Sequence, residues 1–142
     1  MKQERTLLLT NACLYNIKKD QMQRRISVQS IKALTKSTNA SNMQFIVHVR
    51  SEYDYIYESE DRSDIFEAIK YVFWKSNGVN LPVYGVPDKL KEYHTSKKDI
   101  ANGIEVNPQE NFRLTGEDSY QENLAAKAQH DQVTKQIADQ AK

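Results

Sequence analysis

Only one of the 142 residues is a cysteine, Cys13, so no disulfide can form within the chain, and a reducing, cytoplasmic setting is the simpler expectation. Four glycines, Gly78, Gly85, Gly103 and Gly116, are scattered singly and make no phosphate-cradling loop. Three histidines, His48, His94 and His130, stand too far apart for metal-ligand spacing, and no serine has the setting of an activated nucleophile. These absences leave no catalytic constellation, and neither an enzyme nor a cofactor or metal site is expected. No apolar run is long enough to span a bilayer, and Met1 to Arg5 lack the apolar stretch of a signal peptide. Nor is there charge of one sign: the net charge is +1, which argues against a broad basic face for nucleic acid.

What is present is alternation. The chain is 39% hydrophobic and 27% charged, enough for one core and a polar appendage. Arg5–Thr10 and Cys13–Ile17, broken at Asn11-Ala12, read as a hairpin, with Cys13 expected as a buried structural thiol. Lys18 to Gln21 is a polar loop. Arg24–Thr35 reads as a long strand whose apolar phase shifts after Val28, as a β-bulge would cause. After a Ser/Thr/Asn loop over Lys36–Asn42 come strands at Gln44–Val49 and Tyr53–Tyr57. His48 is expected on a sheet surface, and Tyr53, Tyr55 and Tyr57 share one face by their period of two.

A helix is predicted over Asp61–Ser76, with acids in its first turn and a stripe of Ile65, Phe66, Ile69, Val72 and Phe73. Asn77-Gly78 stops it. Leu81 to Pro87 must be extended, since a residue before proline is pushed out of helical space. A helical turn is expected at Lys89–Tyr93, and a weakly apolar helix from Ser119, where Glu122 completes a capping box.

The runs Arg5–Asn16 (RTLLLTNACLYN), Arg24–Val28 (RRISV) and Phe45–Val49 (FIVHV), with the helix after them, resemble the tail-homology domain of class I myosins and related protist pleckstrin-like domains. The resemblance implies a mainly β, pleckstrin-homology-like barrel or sandwich closed by one C-terminal helix, followed by an extended and partly helical tail. The implied division is 1–78 for the domain, 79–116 for an extended partner-binding segment and 117–142 for a polar helical tail. Such domains normally open with one more strand. Met1 to Glu4 are too few and too polar to form it, so the edge of Arg5–Thr10 is expected to accept a strand, from Leu81–Val86 or from another protein.

Two binding readings follow. In lipid-binding relatives, cations at the open end of the barrel hold inositol phosphates, and Lys2, Arg5, Lys18, Lys19, Arg24 and Arg25 could do so here, with Glu4 and Asp20 intruding. In the second reading, Leu81, Val83, Tyr84, Leu90, Tyr93, Phe112 and Leu114 are apolar anchors spaced along an otherwise polar segment that orders on a protein surface. Lys97 and Lys98 would add contacts to an acidic, tubulin-like partner more readily than to nucleic acid. This second reading, a non-catalytic component of a cytoskeletal or ciliary assembly, is the favoured expectation; a phosphoinositide-binding, membrane-targeting module is the alternative.

Overall fold

The computed structural model describes residues 3–115 and 134–139. Its strands are β1 (Gln3–Leu9), β2 (Cys13–Lys18), β3 (Gln21–Ser27), β4 (Ile31–Ser37), β5 (Gln44–Val49), β6 (Tyr55–Glu58), β7 (Val83–Val86), β8 (Arg113–Leu114) and β9 (Thr134–Asp139). Its helices are α1 (Arg62–Asn77), α2 (Lys97–Ala101) and α3 (Pro108–Asn111). Strand pairing runs β3-β2-β1-β9-β6-β5-β4-β7-β8. The order does not close on itself, so of the two expected forms the molecule takes the sandwich, with side chains of β1–β7 and α1 sharing one buried core.

Local chemistry explains the elements. Lys19 and Asp20 both have positive φ (51° and 64°), the signature of the two-residue turn whose twist suits a hairpin. The one long strand expected over Arg24–Thr35 is two strands joined at a corner. A 3-10 turn over Val28–Ser30 separates β3 from β4, pinned where Val28 N donates to Ala12 O at 2.9 Å. A register shift does lie within that stretch, between Ile31 and Ala33 of β4, where the apolar phase was expected to change; a second lies in β3 opposite Asn16/Ile17. Helix α1 buries Ile65, Phe66, Ile69, Val72 and Phe73, as its spacing predicts, and stops at Gly78, whose left-handed φ of 73° lets its N–H reach Trp74 O. Tyr53, Tyr55 and Tyr57 stack in series at 5.4 and 5.6 Å, the packing role expected of that ladder. Cys13 is half-buried rather than buried.

Two expectations about the C-terminal half change. Leu81 and Val83 are fully buried in the main core beside Leu34 and Ile69, and β7 runs parallel to β4. Tyr84, Val86 and Leu90 are also buried, and Tyr93 and Phe112 pack on a second cluster with Ile46 and Ile56. The segment after Gly78 therefore completes the domain. Its apolar side chains lie against their own sheet because β5 and β6 bury both faces and need cover on the second one. Residues 134–139 form a strand where the helix from Ser119 was expected to continue; residues 116–133 lie outside the described residues. β9 pairs with β1 over Gln3–Leu8 and with β6 at Tyr57 and Glu58. The open edge of β1 is thus filled neither by Leu81–Val86 nor by another protein.

Candidate functional site: a cation-lined cleft beside the first hairpin

Three of the six sequence-predicted cations converge. Gln3, Glu4, Arg5 and Thr6 of β1 and Ile17, Lys18 and Lys19 at the end of β2 line a cavity of about 370 Å³. Antiparallel pairing of Thr6 with Ile17 brings the two chain stretches together. The Gln3 side-chain oxygen accepts from Arg5 Nη2 at 2.9 Å and from Lys18 Nζ at 3.0 Å. One neutral amide thus orients two cationic groups at the rim. Arg5 Nη1 also donates to Asn16 Oδ1 at 3.1 Å, and Asn16, wholly buried, donates to Tyr57 OH, so this arginine is braced from the core. Lys19 is exposed at the tip of the hairpin. A cleft with aimed guanidinium and ammonium donors can take a phosphate group.

The other cations lie elsewhere. Lys2 is outside the described residues. Arg24 is buried. Its Nη2 donates to Tyr53 O at 2.7 Å and to Glu52 at 3.1 Å, and its guanidinium stacks 4.0 Å from the centre of the Tyr53 ring. It holds the β6 approach in place and is not presented to a ligand, because its stem sits on the inward phase of β3. Arg25, one residue on, is exposed on the opposite face.

Among the sequence-predicted partner contacts, Leu81, Val83, Tyr84 and Leu90 are enclosed by their own chain, and Tyr93 and Phe112 meet edge-to-face at 5.4 Å. They are therefore not surface anchors in this fold. Lys97 and Lys98 are exposed at the start of α2, with Lys97 Nζ 5.0 Å from the Tyr53 ring centre. Leu114 pairs with Tyr84 through its backbone.

A buried polar chain was not anticipated. Thr35 Oγ1 lies 2.6 Å from His48 Nε2, and His48 Nδ1 lies 2.9 Å from Asp54 Oδ2. Asp54 also accepts from the backbone N–H groups of Val49 and Thr95, each at 2.9 Å, and Asp54 N donates to Thr95 O at 2.7 Å. The order hydroxyl, imidazole, carboxylate has the form of a nucleophile relay. Thr35, His48 and Thr95 are wholly buried, however, and Asp54 nearly so, which leaves no room for a substrate at the hydroxyl. The chain acts as a latch that fastens the Thr95 region to β5. Its signal in the sequence was Phe45, Ile46, Val47 and Val49, which put apolar side chains on both faces of the strand: a strand covered on both faces holds its histidine inside, not on the surface as expected.

Residues 1–115 match the pattern of a protein family described as unconventional myosin tails, actin- and lipid-binding. The chain belongs to that family. The match runs through β7 and β8 and so spans the same unit that the core does. Searches of curated proteins and of solved structures return no match. A myosin-tail domain of this kind is a binding module. Among its described residues no three His, Cys, Asp or Glu side chains gather as metal ligands, and no helix is long and apolar enough to cross a membrane.

Proposed function

We propose that this tail domain docks on anionic membrane surfaces by taking a phosphorylated lipid headgroup, of the phosphoinositide class, into the cleft of Arg5, Lys18 and Lys19. The observation that carries this is the convergence of Arg5 and Lys18 on the Gln3 amide at the mouth of that cavity. The family's lipid-binding character supports it. Each basic residue at an anionic surface contributes about 1 kcal/mol, so replacing Lys18 and Lys19 by alanine should weaken vesicle binding by roughly thirtyfold. Sedimentation with phosphoinositide vesicles at low and raised salt tests this, since surface charge pairing is screened as salt rises. Unaltered sedimentation of the double variant would reject the cleft.

A second reading keeps one specific observation. Lys97 and Lys98 stand exposed at the start of α2, Lys97 beside the Tyr53 ring, a small basic and aromatic patch suited to an acidic cytoskeletal surface, whether actin-based, microtubule-based or ciliary. The assembly role loses the support of the apolar anchors, which are consumed inside the domain. Co-sedimentation of a Lys97→Ala, Lys98→Ala variant with filaments separates this surface from the cleft.

A further inference from the structure

The hairpin of β2 and β3 turns an apolar side chain outward beside the cleft. Arg24 and Ile26 of β3 are buried, and strict alternation would bury Met22 with them. The pairing prevents this. Arg24 lies opposite the buried Asn16, but Met22 lies opposite Ile17, so Gln23 is an extra residue with no partner in β2. A one-residue bulge flips the phase of the strand on its far side. Met22 is left 60% exposed, the most exposed large hydrophobic side chain among the described residues. One such side chain is ordinary on a protein surface; the neighbours of this one are not. Ile17, its cross-strand partner, lines the cation-lined cleft, as do Lys18 and Lys19 of the same hairpin. Directly paired side chains stand about 5 Å apart, which puts Met22 at the edge of that cleft. Along the chain it lies between two exposed cations, Lys19 at the hairpin tip, where Asp20 is exposed as well, and Arg25.

We propose that Met22 is a membrane wedge: when the cleft holds a lipid headgroup, Met22 enters the acyl layer beside it, while Lys19 and Arg25 stay at the level of the phosphates. The wedge rests on the lipid reading of the cleft. A headgroup still joined to its lipid brings the bilayer surface to the mouth of the cleft, where Met22 stands. The same headgroup free in solution brings nothing for Met22 to enter. The domain should therefore favour the membrane-borne form over the soluble one. An unbranched, polarizable side chain suits so irregular a surrounding, and buried apolar area adds to charge attraction in holding a protein at an anionic interface.

The test measures the full chain in two ways: against a soluble inositol phosphate, by amide shifts, and against phosphatidylcholine vesicles carrying a phosphoinositide, by sedimentation. Met22→Ser should keep its melting temperature and its affinity for the soluble headgroup. Its vesicle affinity should fall about tenfold, as expected for a methionine no longer leaving water, and Met22→Leu should retain it. In a Cys13→Ser background, a fluorophore on Met22→Cys should be quenched by nitroxides on the lipid acyl chains. One on Asn11→Cys, in the exposed turn at the other end of β2, should not be. Equal vesicle affinity of Met22→Ser and the unaltered chain, an unquenched label at position 22 on bound protein, or equal quenching of both labels each overturns the wedge and leaves the cleft standing. Absence of both headgroup and vesicle binding by the unaltered chain overturns the cleft, and the wedge with it.

Discussion

At the scale of single residues, Asp54 carries more of the structure than any cation carries of the surface. Its two oxygens accept from His48, Val49 N–H and Thr95 N–H, all buried. Each donor left unsatisfied costs about 1–3 kcal/mol, so Asp54→Ala should lose at least about 3 kcal/mol in urea unfolding; a loss below about 1 kcal/mol would contradict the latch. Asp88 works differently, at the surface. Hydrogen bonds from Asn39, Ser37 and Asn42 hold its carboxyl below the ordinary value of 3.8. A depressed folded-state value means the contribution is present above the unfolded value and is lost as pH falls through the folded one. The loop 37–43 should therefore loosen only in acid below that ordinary value, and Asp88→Asn should flatten this part of the dependence of loop amide exchange on pH. His48 shows where sequence reading stops. Its neighbours announced burial on both faces, but its partners Thr35, Asp54 and Thr95 come from three places in the chain that only the fold brings together.

At the scale of elements, local rules were enough wherever one stretch determines its own shape. The hairpin, the tyrosine ladder and the stripe of α1 were legible because each depends on spacing within a few residues. Ile69 lies at the centre of that stripe and is nearly inaccessible; Ile69→Asp should abolish cooperative melting. The role of β7 was not legible. An apolar strand after a helix covers its own sheet or a partner's with the same alternation, and the choice depends on β4, some fifty residues earlier. Gly85 marks how closely β7 fits there. A Cβ at that position would stand 3.0 Å from Thr38 Cγ2 and 3.2 Å from Thr115 Cγ2. Gly85→Val should cost about 1–3 kcal/mol by overpacking, measured as a shift in the denaturation midpoint. The tail strand was missed for a related reason: the capping box at Ser119 and the thin apolar spacing after it favoured a helix, whereas residues 134–139 answer to the unfilled edge of β1.

At the scale of the whole molecule, the segment after Gly78 changes from appendage to wall. Leu81 and Val83 in the main core and the Thr95 latch make residues 79–115 part of the folding unit. A chain ending at Gly78 should therefore fail to fold, seen as loss of a cooperative transition by circular dichroism; an independently folded 1–78 fragment would contradict that unity. The same closure turns the functional reading toward the first hairpin, where Arg5, Lys18 and Lys19 share one cleft while Arg24 is spent on Tyr53. The most direct measurement is a titration of the isotopically labelled chain with a soluble inositol phosphate headgroup, followed at backbone amides. Saturable shifts confined to Gln3–Thr6 and Ile17–Lys19, absent when Lys18 and Lys19 are alanine, are expected. Shifts centred on Lys97 and Lys98 instead, or none at millimolar headgroup, would contradict the cleft as the lipid site.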